Sequence, residues 1–172
     1  MTAKEDDFIE QMFVANTHDN ILCFSSRGQV YWLKVYDIPQ GGRATRGRAI
    51  VNLIGCSPGE RVEAFVSVKE FDDQHYIVMS TRKGIVKKTV LSAYGKPRKG
   101  GIYAIDIREG DKLIQARITN GEHDILLGTH EGKSIRFSEG NIRASGRKTM
   151  GVKGIKLSSR SEERRVGKEC RS

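Results

Sequence analysis

Ile77-Val-Met-Ser-Thr-Arg-Lys-Gly84-Ile-Val-Lys-Lys-Thr-Val90 reads as a β-hairpin. An apolar run enters it, a turn closes on a glycine that can take positive φ, and an alternating run leaves with one polar face. The same order occurs in Ile21-Leu-Cys-Phe-Ser-Ser-Arg-Gly28-Gln-Val-Tyr-Trp32 and in Ile125-Leu-Leu-Gly-Thr-His-Glu-Gly132-Lys-Ser-Ile-Arg136. After each hairpin come a basic loop and a short segment led by glycine. Those segments are Gly47-Arg-Ala-Ile-Val-Asn-Leu53, Gly101-Ile-Tyr-Ala-Ile-Asp-Ile107 and Gly151-Val-Lys-Gly-Ile-Lys-Leu157. The step from turn glycine to segment glycine is 19, 17 and 19 positions, and the turn glycines recur after 56 and then 48 residues. All three glycine-led segments are expected to be strands. So is Met12 to Asn16, although Phe8-Ile-Glu-Gln-Met-Phe13 also carries helical spacing.

A repeat of ~50 residues built from several short strands points to a propeller-like array, because one such unit cannot bury both its faces alone. The expected fold is all-β, with four-stranded blades in units of approximately 8–68, 69–119 and 120–159. Residues 160–172, Arg160-Ser-Glu-Glu-Arg-Arg-Val-Gly-Lys-Glu-Cys-Arg-Ser172, break the pattern. They resemble one translated frame of a sequencing-library adapter. They are therefore expected to be a non-native tail rather than a natural basic one, with the protein continuing beyond this chain.

The remaining composition narrows the function. No apolar stretch approaches the ~18 residues that span a bilayer. The acidic N-terminus, Met1-Thr-Ala-Lys-Glu-Asp-Asp7, lacks the order of a secretory signal. Cys23, Cys56 and Cys170 are too far apart for a CxxC clamp, and their odd number suggests no disulfide framework. A soluble, cytoplasmic chain with no membrane partner is the expectation.

Charge follows the repeat. Windows 27–48, 82–101 and 132–156 hold 5, 7 and 7 basic residues against 1, 0 and 1 acidic ones. The rest of residues 1–159 holds 6 basic and 16 acidic residues. Radially arranged units would bring these loops to one arc of the rim, which suits a polyanion followed from unit to unit. The candidate contacts are Arg43, Arg46 and Arg48; Lys83, Lys87 and Lys88; Lys96, Arg98 and Lys99; and Lys133, Arg136, Arg143, Arg147, Lys148 and Lys153. Duplex is favoured over single strand, since the windows hold few aromatic platforms for base stacking and several of these alternate like core residues.

Phe13-Val-Ala-Asn-Thr-His-Asp-Asn-Ile-Leu-Cys-Phe-Ser-Ser-Arg-Gly28 closely resembles the DNA gyrase A C-terminal domain family. Arg46 to Leu53, Val86 to Val90 and Gly151 to Ile155 share that resemblance, which covers residues 5–159. It implies a β-pinwheel, a six-bladed disc of which about three blades are present here, wrapping duplex DNA on a basic rim. The whole type II topoisomerase would supply ATP, Mg²⁺, the gyrase B protein and a second copy of the gyrase A protein, and would sit on the nucleoid in the cytoplasm. The Gln-Arg-Arg-Gly-Gly-Lys-Gly box that precedes this region in the family is not in the chain, nor is the catalytic-tyrosine domain. The chain is therefore expected to be non-catalytic and to need no cofactor. The homologous domain of the topoisomerase IV A protein and a protein-binding propeller are the alternatives. His18, His75, His123 and His130 lack metal-ligand spacing, and no Walker loop, nucleophile elbow or carboxylate pair is present.

Overall fold

A computed structural model describes residues 12–42 and 47–157. The three expected hairpins are present. Strands β1 (Asn20–Ser25) and β2 (Gln29–Lys34) pair antiparallel from Asn20↔Lys34 to Phe24↔Val30. Strands β4 (Tyr76–Thr81) and β5 (Ile85–Val90) repeat this from Tyr76↔Val90 to Ser80↔Val86. Strands β8 (Asp124–Gly128) and β9 (Ser134–Ser138) form the third hairpin. A third strand joins each of the first two hairpins: β3 (Val62–Val68) lies along β1, and β7 (Leu113–Thr119) along β4. Each of these pairings shifts register near the hairpin turn, between Phe24 and Ser25 and between Ser80 and Thr81.

The fourth strand of each complete sheet comes from the next unit. Strand β6 (Ile102–Tyr103) pairs with β2 through Gln29↔Tyr103 and Val30↔Ile102. Strand β10 (Val152–Lys153) pairs with β5 through Val86↔Val152 and Ile85↔Lys153. The sheets therefore run β3-β1-β2-β6 and β10-β5-β4-β7, and among the described residues β8-β9 has two strands only. The turn glycine anchors each crossing. Gly28 O accepts from the amides of Ala104 and Ile105 at 2.8 and 3.2 Å, and Gly84 O from those of Gly154 and Ile155 at 2.9 and 3.3 Å.

The sheets pack face to face. Alternation along β1 sends Leu22 and Phe24 to one core, where they meet Ile77 and Met79 of β4 with Leu113, Ala116 and Tyr94. The other face of the second sheet gives Val78 and Val86 to a smaller core with Ile125, Leu127 and Ile142. Burying side chains of this size contributes roughly 1.5–3 kcal/mol each, so the stacked units hold one another in place. Phe24 and Tyr94 meet edge to face at 6.1 Å, and Trp32 Nε1 donates to Tyr94 O at 3.0 Å across the same junction.

Four strand expectations change. Residues Met12 to Asn16 are irregular and pair with no strand, with Met12 and Val14 exposed. The chain turns at Asn16 instead, where its amide donates to Asp19 Oδ2 at 2.9 Å. Gly101–Ile107 and Gly151–Leu157 are strands only at Ile102–Tyr103 and Val152–Lys153. Gly47–Leu53 is not a strand: α1 (Ile50–Ile54) ends on Gly55 at φ 64°. Its apolar side, Ile50, Leu53 and Ile54, covers Ile21, Cys23, Tyr31 and Leu33 on the outer face of the first sheet. No helix among the described residues is long and apolar enough to cross a membrane.

Candidate nucleic-acid interface

The strand crossings make the basic loops. After β5 the chain forms a 3₁₀ turn at Leu91–Tyr94, at the end of the strand remote from the hairpin turn. It then runs through 95–101 to reach β2 beside the turn of the preceding sheet. Lys96, Arg98 and Lys99 lie exposed on this loop. The third unit repeats the path through Glu139–Asn141 and 142–151 to β5, presenting Arg143 and Lys148 exposed and Arg147 half-buried. Lys153 is exposed on β10 at its end. A loop that must cross between sheets cannot bury its backbone in either, so its side chains meet solvent.

Successive crossings touch. The amide of Asp106 donates to Thr149 O at 3.0 Å, and that of Ser145 to Lys88 O at 2.9 Å. Arg108 Nε lies 3.2 Å from Met150 Sδ. The basic loop 142–151 thus shares one junction with the segment that follows β6, downstream of the basic loop 95–101. Arg108 belongs to it although it falls outside the charge windows; only the pairing of the crossing segments reveals its place.

Two of the expected phosphate ligands are corrected. Lys87 has no solvent exposure, and its ammonium donates to Ala104 O at 2.7 Å and Arg147 O at 2.6 Å. Burial pushes its pKa down to about 8, with Asp106 opposing the shift and Arg147 adding to it. Lys88 is 6% exposed; its ammonium lies 3.4 Å from Glu139 Oε1 and 4.2 Å from the centre of the Tyr76 ring. Both face packed protein and are out of reach of a phosphate. Alternation in Ile85–Val90 hid this, because a lysine on a strand ordinarily marks the wet face. Lys87 and Lys88 point to opposite faces, and both are covered, the first where its ammonium meets Ala104 O and Arg147 O, the second by Glu139 and Tyr76.

The other candidates divide. Arg43 and Arg46 lie outside the described residues, while Arg48 is exposed just ahead of α1. Lys83 sits in the β4–β5 turn with its ammonium 3.4 Å from Glu109 O. Lys133 in the β8–β9 turn lies 3.9 Å from Glu131, and Arg136 on β9 lies 3.6 Å from Asp124. These last three stand apart from the crossing loops. Among the described residues no three of His, Cys, Asp and Glu gather as metal ligands.

Residues 19–69, 75–120 and 123–166 match the family model described as DNA gyrase C-terminal domain, beta-propeller. The DNA gyrase A protein of Clostridium acetobutylicum is 48% identical over 154 residues, which is 90% of this chain and 19% of that protein. The Haemophilus influenzae protein of the same name is 49% identical over 90% of this chain and 18% of its own length. The chain thus spans under a fifth of these curated relatives. A solved C-terminal domain of DNA topoisomerase IV superposes with a TM-score of 0.81 at 28% identity, covering 92% of this chain and 50% of that one. A DNA gyrase A C-terminal domain superposes at 0.69 with 23% identity, covering 85% and 46%.

Proposed function

The chain belongs to the DNA gyrase C-terminal-domain family, and on that premise we propose that its crossing loops bind duplex DNA without sequence preference. The observation that carries this is the junction at which the basic loop 142–151 meets Asp106 and Arg108, just downstream of the basic loop 95–101, with Lys96, Arg98 and Lys99 on the first crossing and Arg143, Arg147 and Lys148 on the second. Exposed cations repeated at one junction after another neutralise phosphates and release counterions, which gives affinity without reading bases. Lys153 and Arg48, both exposed, are proposed to extend the same track.

Wrapping is the further step of this reading. Bending a short duplex around a disc costs on the order of 1–6 kcal/mol, so contacts from every unit are needed to offset it. On this reading supercoiling is an act of the whole enzyme. ATP, Mg²⁺, the gyrase B protein and a second copy of the gyrase A protein belong to that assembly, which works on the nucleoid in the cytoplasm. This segment contributes the track and no cleavage chemistry.

The test is an electrophoretic shift titration of the chain with mixed-sequence duplex across a salt series. About six phosphate contacts give a log–log slope of roughly −5. Equal affinity for unrelated duplexes is expected as well. A flat salt response, or no shift at low salt, would overturn the proposal.

A further inference from the structure

Residues 144–151 form an arch with both feet on β5. At one foot Ala144 bridges Lys88, and the Ser145 amide donates to Lys88 O at 2.9 Å. At the other, Gly151 lies so close to the strand that a Cβ there would meet Val86 O at 2.5 Å and Lys87 Cβ at 2.9 Å. Thr149 Oγ1 braces the span, donating to Gly146 O at 2.8 Å and lying 2.9 Å from Ser145 Oγ. Arg147 and Lys148 stand between the feet, the first half-buried and the second exposed. The Lys87 ammonium reaches the arch from within, donating to Arg147 O at 2.6 Å and to Ala104 O at 2.7 Å.

The fold does not ask for a cation at this place. Tyr31 and Ile135 occupy the same position, three residues after their turn glycines. The Tyr31 hydroxyl lies 2.7 Å from Gln29 Oε1 and 2.8 Å from Glu60 Oε2, all within the first unit. A charge hidden from water is costly unless it is bonded. What sets the second unit apart is that its hidden charge grips a peptide of the next basic loop. Arg147 O belongs to the peptide bond that joins Arg147 to Lys148, so one hydrogen bond orients the backbone that carries both side chains.

Resting on the duplex-binding reading above, we propose that Lys87 is a positioning residue for phosphate contact. It fixes the peptide from which Arg147 and Lys148 project, holds that peptide against the segment after β6, and through its own charge makes duplex binding sensitive to pH. The charged groups that face the ammonium are Asp106, on the segment after β6, and Arg147, on the arch itself. From β4, Met79 stands opposite Lys87, and Tyr94 on the 3₁₀ turn stays neutral because burial pushes its pKa up. Burial pushes the Lys87 pKa down to about 8, with Asp106 opposing and Arg147 adding to the shift. A phosphate on Arg147 or Lys148 brings negative charge and raises that value again. Duplex therefore prefers the protonated chain, and affinity falls as pH rises through 8.

Fluorescence anisotropy of the whole chain with a labelled mixed-sequence duplex, at fixed salt from pH 7 to 9, reads this directly. A roughly tenfold preference of duplex for the protonated chain predicts affinity about fivefold weaker at pH 9 than at pH 7. Lys87→Met, with far-UV circular dichroism to show that its sheets persist, should flatten that dependence. At pH 7 it should also make the salt slope shallower by about 2, for the contacts of Arg147 and Lys148. A side chain that only stabilised the fold would change neither in a folded variant. Asp106→Asn alters an exposed side chain, keeps the amide that donates to Thr149 O, and removes the charge that supports the Lys87 proton. Its affinity should begin to fall at lower pH than that of wild type. Wild type that binds with a steep salt slope yet equal affinity from pH 7 to 9, or one pH profile shared by all three proteins, overturns the role of Lys87 and leaves duplex binding standing. Absence of binding by wild type at every pH overturns the duplex reading and this role with it.

Discussion

A lysine ammonium sealed from water needs acceptors, and Lys87 finds two carbonyls on consecutive crossings. It acts as a strut between the loop after β6 and the loop before β10. Lys87→Met removes both bonds and leaves the buried Ala104 carbonyl without its donor. We expect a loss of about 1–3 kcal/mol in urea unfolding. The pH response carries a clearer signature. In the unfolded chain the amine holds its proton up to its ordinary value of 10.5, while in the fold it releases it near 8. Between these values the unfolded state binds more protons, so stability rises with pH. Cys23 works the other way: burial pushes its pKa from 9.0 up to about 12, so above pH 9 the unfolded thiol ionises first and stability falls. The window from 8 to 9 therefore isolates the lysine. Wild type should gain stability across it and Lys87→Met should not. Equal slopes for the two proteins would remove the strut from the account.

At the scale of the element, the hairpins were legible because their information is local. Residues of Ile77–Val90 state their own pattern, and the turn glycines at 28, 84 and 132 all take positive φ as expected. The crossings were half legible. Their leading glycines lined up, but sequence spacing does not say which sheet receives a strand, and that partner lies one unit back. Gly47–Leu53 shows why the rest was hidden. Its pattern matches its two counterparts, yet part of it folds as α1 on the outer face of the first sheet, so the same kind of segment takes two structures according to its neighbours. The packing of a crossing on its turn glycine is measurable in dilute protein. Gly84→Ala and Gly132→Ala each force a side chain into left-handed backbone at about 1–2 kcal/mol. At Gly84 the new methyl also presses on Ile155, 2.8–2.9 Å away, whereas at Gly132 it meets nothing within 4 Å among the described residues. That variant should lose about 1–3 kcal/mol more in thermal or urea melts. Equal losses would mean that the crossing is not packed on its glycine as described.

The molecule as a whole sorts its charge by the path of the chain. Hairpin turns carry cations that meet local acceptors: Arg82 Nη2 donates to Gly110 O at 2.7 Å, and Lys83 Nζ to Glu109 O at 3.4 Å. The crossing loop 95–101 instead holds Lys96, Arg98 and Lys99 out in solvent. A charge counts the same toward the total at either place, so a purely electrostatic attraction to the whole chain would respond equally to both. A track responds only where phosphates lie. Reversing Lys96, Arg98 and Lys99 to Glu should weaken duplex binding strongly and make the salt slope shallower by about 3, one contact for each residue. Reversing Arg82 and Lys83 should change the slope by less than about 1. Both variants alter exposed or half-buried turns, so far-UV circular dichroism serves as the check that the sheets persist. If the hairpin-turn variant loses as much binding as the loop variant, the duplex does not follow the crossings, and the basic loops are a solvated surface rather than a track.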